Sequence, residues 1–173
     1  MFKRALILIL AASLFALGLG ILGFLNSIPS TKEKRALAKM RLDEEALSRT
    51  FEIWVVRSGF RQKSTGARDI YVPSLLVEAV NLSQSTSKPS TLMATFLRNG
   101  RTFCGAGGSV PALKPGEACE VWLKCIELTG LGSVAWGVSL AETTEPMNYE
   151  VWLESGRASI IVAKGELKSA LLE

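Results

Sequence analysis

The sequence contains no histidine, and it has only three cysteines. The absence of histidine excludes an imidazole-ligated metal site and a Ser-His-Asp triad, because both need that side chain. Three cysteines are too few for a disulfide-dense scaffold, and their spacing provides no close pair of the kind that binds zinc. The GxSxG, HExxH and CxxC motifs and the Walker loop are also missing. We therefore predict a protein that has no metal or other cofactor and is not an enzyme.

Apolar residues make up 48% of the sequence, but they are unevenly distributed. Residues 5–25 form a run of 21 positions without a charge. As a helix that rises about 1.5 Å per residue, this run would span about 31 Å, close to the thickness of a bilayer core. It predicts a transmembrane signal anchor within residues 1–28. Removal as a signal peptide is the alternative, although the apolar run continues past the small residues Gly18 and Gly20.

Two basic residues, Lys3 and Arg4, precede the apolar run, and several more follow it. A literal count of these charges would place the domain that follows the run in the cytoplasm. A short basic start before an apolar run is, however, typical of exported proteins, and a β-rich domain with clustered cysteines fits export as well. We therefore predict a single-pass membrane protein whose C-terminal domain is extracytoplasmic.

Small residues recur on one side of the predicted membrane helix. Ala12, Ala16 and Gly20 are spaced four positions apart, and such a stripe lets two transmembrane helices approach closely. These residues are a candidate helix-packing stripe. The alternative is that alanine and glycine are simply common in membrane helices.

Residues 29–50 are predicted to form a helical stalk. Ser30 and Glu33 form a capping box, and neither glycine nor proline interrupts the segment that follows. Basic residues crowd its first turns, where the helix dipole disfavours them but anionic lipid headgroups would favour them. The candidate contacts with the membrane surface are Lys32, Lys34 and Arg35. A helix that packs on its own domain is the alternative.

From Phe51 onward, short runs of β-branched and aromatic residues alternate with turn residues, a pattern typical of an all-β sandwich or barrel. Asn99-Gly100 is a strong hairpin signal because both residues tolerate a positive φ, and Ser155-Gly156 is a weaker one. We predict a mainly β fold, with residues 51–173 forming one Ig-like β-sandwich domain.

One stretch of this domain carries a recognisable pattern. The segment LLVEAVNLSQSTSKPSTLMATFLRNG…VPALKPGEACEVWLKC resembles bacterial and archaeal Ig-like sandwich modules of the CARDB or LEA14 type. Those modules have a strand that ends in asparagine, a second strand, and a Leu-x-Pro-Gly-Glu turn before another strand. The matching positions here are Val77, Ala79 and Asn81, then 113–117 and Val121. The resemblance covers residues 70–128, and it implies an Ig-like fold and an interaction role without an active site.

The three cysteines leave more than one pairing open. Cys119 and Cys125 share one face of a predicted strand, 118–128, and lie about 20 Å apart along it, whereas a disulfide needs Cα atoms within about 7 Å. Cys104 and Cys119 are the candidate disulfide, which would close the glycine-rich loop GAGGSVPALKPGEA between them. A bond between Cys104 and Cys125, or three free thiols, are the alternatives.

The net charge of +4 conceals an opposition within the β domain. Residues 49–114 carry nine basic and three acidic residues, a balance of +6, whereas residues 115–173 carry four and nine, a balance of −5. The predicted loop RSGFRQKSTGARD concentrates basic side chains, and one tryptophan alternates with charges, so it is either exposed or covered by the stalk. The candidate interaction surface, for an acidic partner or lipid headgroups, comprises Arg57, Arg61, Lys63, Arg68 and Trp122. Internal pairing of the two halves is the alternative.

These patterns favour a non-catalytic, membrane-anchored interaction or accessory module, a structural subunit of a membrane or cell-surface assembly. Its expected partners are the lipid bilayer and other protein subunits, including further copies of itself. Nucleic acid is not expected, because the total charge is small and no aromatic-basic motif occurs, and the sequence indicates no small-molecule substrate. The alternatives are a pilin-like filament subunit, which has the same order of elements, and a membrane-anchored Ser-Lys-type hydrolase, for which no motif selects the residues.

Overall fold

A computed structural model describes residues 31–64, 69–129, 132–135 and 137–172, with side-chain burial for these ranges except 31, 126–129 and 132–135. The predicted anchor, with its stripe of Ala12, Ala16 and Gly20, lies outside the described residues. Within the described ranges, no helix is long and apolar enough to cross a membrane. The chain divides into two compact units, Met1–Lys39 and Met40–Glu173.

Helix α1 spans Thr31–Thr50, in agreement with the helix predicted for the stalk. The candidate membrane-surface residues Lys32, Lys34 and Arg35 are all exposed on it. Among helix residues 32–50, Leu47 alone is buried, and it belongs to the core cluster of the β domain. The C-terminal end of the helix therefore packs on the domain that follows it, as the alternative interpretation of the stalk expects.

The described part of the domain contains ten strands and one short 3-10 helix, Ala141–Thr144. The strands are β1 (Phe51–Ser64), β2 (Asp69–Asn81), β3 (Ser90–Arg98), β4 (Arg101–Val110), β5 (Ala118–Lys124), β6 (Ile126–Thr129), β7 (Gly132–Ala135), β8 (Met147–Ser155), β9 (Ala158–Glu166) and β10 (Leu171–Leu172). Sheet A has the strand order β10-β1-β2-β5, sheet B has the order β4-β3-β8-β9, and β6 pairs with β7 in a separate ribbon. Neighbouring strands are antiparallel except β10, which runs parallel to β1.

The core of the domain is formed by one face of each sheet. Alternation along the strands turns every second side chain inward, so that Leu75 and Val77 of sheet A and Leu92 and Phe96 of sheet B are completely buried. These residues belong to one continuous apolar cluster. Two sheets that share one core constitute a β-sandwich, so the predicted mainly β, two-sheet architecture is confirmed.

Three tight turns have the backbone that the sequence predicts. Asn99 and Gly100 join β3 to β4 with φ of 53° and 72°, and Gly156 joins β8 to β9 with φ of 62°. Gly116 precedes β5 with φ of 73°, as the Pro-Gly turn requires. Both predicted hairpins are therefore confirmed.

Two predicted loops are wrong, because the strands extend further than their apolar runs. The basic segment 57–63 continues β1 rather than leaving the sheet, and it pairs with β2 as far as Ser64. The glycines at 105, 107 and 108 lie inside β4, paired with β3. Glycine is needed at 108 because a Cβ atom there would overlap the side chain of Val121 on β5. The absence of a Cβ atom at position 108 thus lets β4 of sheet B and β5 of sheet A come close together.

The candidate disulfide between Cys104 and Cys119 is also wrong. Cys104 is bonded to Cys125, with the Cα atoms 5.9 Å apart, and Cys119 is a free thiol. The expected continuous strand 118–128 ends at Lys124, and Cys125 lies in the break before β6. Cys119 instead lies within β5, the edge strand of sheet A, where it is paired with Ala79 on β2. The bond therefore joins an edge strand of sheet B to the end of an edge strand of sheet A.

Candidate functional site

Strand β1 carries three of the candidate surface residues on the outer side of sheet A. Ser58 and Phe60 point into the sandwich and are buried, with Phe60 only 1% exposed. Arg57, Arg61 and Lys63 occupy the alternate positions, so they lie on the outer side. The fourth basic candidate, Arg68, lies outside the described residues.

Strands β2 and β5 place Trp122 on the same outer side. Their register pairs Leu76 with Trp122 and Ser74 with Lys124, while β1 and β2 pair Arg61 with Val72. Lys124 was not among the candidate residues of the sequence. Its position two residues after Trp122 was the signal, since alternate residues of a strand share a face. We call the surface formed by Arg57, Arg61, Lys63, Trp122 and Lys124 the basic face.

A cation–π contact spans the basic face. The guanidinium carbon of Arg61 lies 4.7 Å from the ring centroid of Trp122. Because β2 separates their two strands, this contact passes over β2. Ser74 and Leu76 on β2 are 0% and 6% exposed, although they lie on the outer side of the sheet. The half-buried tryptophan ring thus holds the arginine across the sheet surface.

A pocket of about 320 Å³ opens beside this contact. Its lining consists of Arg61, Gln62, Lys63, Val72, Ser74, Lys124 and Cys125. Three of these side chains are cationic and none is acidic. The floor is closed by buried groups: the Ser74 hydroxyl donates to the Val72 carbonyl at 3.0 Å, and the Cys125 N–H donates to the Pro73 carbonyl at 3.0 Å.

The three pocket cations are not neutralised within the described part of the chain. Ion pairs there involve Arg49, Arg98 and Lys164, and no carboxylate lies within 4.0 Å of the Arg61, Lys63 or Lys124 side chain. Like charges that converge over an apolar floor produce a positive potential that attracts anions. The pocket on the basic face, whose lining has three cations and no carboxylate, is therefore suited to an anionic ligand.

The other chemical groupings that the sequence raised are not assembled. In the described ranges, no group of three or more cysteine or acidic side chains could hold a metal ion. Ser74 and Lys124 share the pocket, but the Ser74 hydroxyl donates to a backbone carbonyl, and no lysine lies within hydrogen-bond distance of it. The nucleophile–base hydrogen bond of a Ser–Lys pair is thus not formed there. A larger pocket of about 440 Å³, lined by 143–146 and 166–169, carries charges of both signs.

A cluster of ion pairs joins the basic and acidic halves of the domain at one point, which the sequence did not reveal. Arg98, at the end of β3, donates from Nη1 to Glu142 at 3.0 Å and from Nε to Glu145 at 2.8 Å. The Ser139 N–H and hydroxyl also donate to Glu142, at 2.9 and 2.7 Å. These bonds from Ser139, followed by that from Arg98, lower the pKa of Glu142 to about 2.

We expect this cluster to make the stability of the protein depend on pH in acid. The pKa of Glu142 is lower in the folded state than its ordinary value of 4.5, so the carboxylate stabilises the fold fully above pH 4.5. That contribution is lost as the pH falls towards 2. Denaturation midpoints of the wild type and Glu142→Gln, measured from pH 7 to pH 2, should differ most at pH 7 and converge in acid. Glu166→Gln, at an exposed position, is the control. A constant difference across this range would contradict the assignment.

Comparison with known proteins gives distant similarities of fold. No protein-family model matches the chain, and no curated protein matches it either. It is similar to a calcium-binding mutant of Bacteroides uniformis β-glucuronidase 2, with 15% identity over 68% of this chain and a TM-score of 0.40, but it covers only 12% of that enzyme. It is also similar to a protein from Arabidopsis thaliana (14% identity, 70% of this chain, 85% of that one, TM-score 0.35). Chicken MD-1 complexed with lipid IVa is a further similar structure, with 13% identity over 65% of this chain and 85% of that one and a TM-score of 0.28. At these values, none of the three assigns a family or a function to the chain.

Proposed function

We propose that the protein is a non-catalytic interaction module, anchored in a membrane, whose Ig-like sandwich binds an anionic partner through the basic face. The observation that carries the proposal is the convergence of Arg61, Lys63 and Lys124 on one pocket, where no carboxylate of the described residues pairs with them. Such charges repel one another in the free protein, and an anionic partner relieves that repulsion. Complementary charge also accelerates association and fixes the orientation of the partner.

The sequence before the domain supports the membrane part of the proposal. The uncharged run 5–25 is long enough to cross a bilayer as a helix, and the exposed Lys32, Lys34 and Arg35 follow it closely. Basic side chains beside a span contribute about 1 kcal/mol each when they contact anionic lipid. The disulfide between Cys104 and Cys125 supports a location outside the cytoplasm, because such bonds persist in oxidising compartments.

Contacts within the CARDB- or LEA14-type pattern support the resemblance from which the interaction role follows. The Asn81 side chain donates to the Leu113 carbonyl at 2.8 Å, and the Gly116 N–H donates to the Asn81 carbonyl at 2.8 Å. The two halves of the CARDB- or LEA14-type pattern therefore meet in space. A sandwich of that type would act as an interaction module, and the pilin-like and hydrolase interpretations have no comparable support.

Photo-crosslinking in the native membrane tests the proposed function. A photoreactive residue replaces Arg57, which is exposed on the basic face outside the pocket, or Arg101, which is exposed in sheet B. We expect a discrete crosslinked partner from position 57 and none from position 101. Arg61→Glu/Lys63→Glu should reduce the yield at least about 10-fold, as expected for charges central to a complementary interface. Lys114→Glu/Arg157→Glu changes the net charge equally at exposed positions elsewhere and should leave the yield unchanged. Equal crosslinking from both positions would overturn the proposal.

A topology experiment tests the membrane part separately. A reporter fused to the C-terminus should give the extracytoplasmic signal, and mass analysis of the mature chain should show the apolar run retained. A cytoplasmic reporter signal would contradict the proposed location. A mature chain that begins near Ile21 would contradict the anchor, since most of the apolar run would then have been removed.

A further inference from the structure

We infer that the pocket on the basic face is a binding site for a phosphate group, carried by a lipid headgroup or by a free phosphate ester. The inference deepens the proposed function and rests on it. The pocket volume of about 320 Å³ lies at the small end of the usual range for ligand pockets, roughly 300–1,000 Å³. It has room for a headgroup or a small ester, and it is too small for a helix.

The number of cations matches a phosphate better than a single carboxylate. A phosphate monoester carries a charge between about −1.5 and −2 near neutral pH and has three acceptor oxygens. Arg61, Lys63 and Lys124 provide three positive groups from strands on both sides of β2. A carboxylate has one charge and two oxygens, so it would leave most of this potential unbalanced. The planar guanidinium is also suited to bidentate contact with a phosphate.

Arg61 is positioned before any ligand arrives. Its guanidinium lies against the Trp122 ring at 4.7 Å, so much of its side-chain freedom is already lost in the free protein. Ordering a long side chain on binding costs conformational entropy, and that cost is reduced when the side chain is preorganised. Trp122 is therefore a positioning residue, which acts on the ligand through Arg61.

The floor of the pocket strengthens these electrostatic interactions. Val72 is 5% exposed, and Ser74 and Cys125 are completely buried. The Ser74 hydroxyl is already bonded to the Val72 carbonyl, so the floor presents little competing polarity. Charges above such a surface interact in an environment of lower polarity than water, where each contact with a phosphate oxygen is stronger.

Direct titration of the full chain in nanodiscs of neutral lipid tests the inference. The probes are inorganic phosphate, glycerol phosphate and acetate, followed by NMR of the tryptophan indole groups. We expect both phosphates to bind at least about 10-fold more tightly than acetate, with affinity decreasing as salt is added. Arg61→Gln, Lys63→Gln and Lys124→Gln should each weaken glycerol phosphate binding about 5-fold or more. Arg101→Gln and Arg157→Gln, at exposed positions outside the pocket, should have no effect.

The role of Trp122 has its own control. Trp122→Leu keeps every charge but removes the ring, so it should weaken phosphate binding about 5-fold, in keeping with a cation–π contact of about 1 kcal/mol. Trp122→Phe should restore part of the affinity. Arg61→Lys keeps the charge and loses the planar fork, and it should bind less tightly than the wild type. Unchanged affinity in Trp122→Leu would overturn its positioning role.

Competition distinguishes the two sources of phosphate. In nanodiscs that contain phosphatidic acid, a headgroup in the pocket should weaken the apparent affinity for glycerol phosphate about 10-fold. Equal apparent affinity in the two lipids identifies a free ester as the ligand.

Equal binding of phosphate and acetate, or full phosphate affinity in Arg61→Gln, would overturn the inference. If crosslinking from position 57 persists in that case, the proposed function stands with a carboxylate-bearing protein as partner. If phosphate binds but the crosslinking yield is unchanged in Arg61→Glu/Lys63→Glu, the pocket is a phosphate site and the proposed function is wrong.

Discussion

Asn81→Ala is expected to lower the free energy of unfolding by about 4 kcal/mol. Asn81 ends β2 and is completely buried. Its amide nitrogen donates to the carbonyls of Ser85 and Leu113, both at 2.8 Å. Its amide oxygen accepts from the Ser83 N–H at 2.9 Å and from the Ser83 hydroxyl at 2.7 Å. Four bonds at about 1 kcal/mol each give the expected loss.

The size of this effect follows from what Asn81 connects. Its side chain ties the segment between β2 and β3 to the turn that precedes β5, and its backbone N–H donates to the Glu117 carbonyl at 3.0 Å. Alanine removes the side-chain bonds at both connections at once, and it leaves a small void at a buried position. The loss should therefore exceed that of an ordinary polar truncation at the surface.

Equilibrium denaturation monitored by tryptophan fluorescence measures this loss. Ser83→Ala is the matched control at a half-buried position. It removes a hydroxyl that donates to the Asn81 amide oxygen and to the Ser85 carbonyl and accepts weakly from the Ser85 N–H at 3.4 Å. We expect Ser83→Ala to cost about 1 kcal/mol. If the two variants are equally stable, Asn81 does not hold the connection together.

The parts of the fold that the sequence predicted are those governed by local chemistry. Asn99-Gly100 closes its hairpin because both residues adopt a positive φ, and Gly116 does the same before β5. Asn81 and Leu113 were identified through the family resemblance, and they are in direct contact. In each case the cause lies within a few neighbouring residues or within one recurrent pattern, so it can be read without the structure.

Long-range pairing decided the parts that could not be predicted. Arg61 and Lys63 read as loop residues because basic side chains interrupt the apolar run, yet pairing with β2 keeps them in a strand. The contact of Arg61 with Trp122 depends on the strand order β1-β2-β5, which no local pattern specifies. Ser74 lines the pocket because the same strand order places β2 between β1 and β5. Four of the five residues of the basic face were therefore predicted, whereas Lys124 and the assembly around one pocket were not.

Cys104→Ser/Cys125→Ser is expected to lower the free energy of unfolding by about 3 kcal/mol. The bond closes a loop with a sequence separation of 21 residues, and the chain-entropy model gives roughly 3 kcal/mol for that length. The two cysteines lie at facing edges of the sandwich, so the bond restrains the separation of sheets A and B. Both cysteines are replaced because a single change would leave Cys104 or Cys125 free to pair with Cys119.

Thiol counting and reduction check this assignment independently of stability. In denaturant without reductant, one thiol per chain should react, at Cys119, and after reduction three should react. Burial first, and then Glu117 and Glu78, raise the pKa of the Cys119 thiol, so in the native protein it should be alkylated more slowly than an exposed thiol. A peptide that links Cys104 to Cys119 would contradict the structure.

Cys119→Ser separates the effect of the disulfide from that of losing a cysteine. Cys119 is half-buried and forms no disulfide, so Cys119→Ser should lower the free energy of unfolding by less than about 1 kcal/mol. The stability of this variant should still fall when a reductant is added, because its disulfide is intact. The double variant, by contrast, should be insensitive to reductant. Because Cys125 also lines the pocket, the double variant should bind glycerol phosphate less tightly than Cys119→Ser does. Equal affinity in these two variants would mean that the pocket keeps its shape without the bond, and that the disulfide contributes to stability alone.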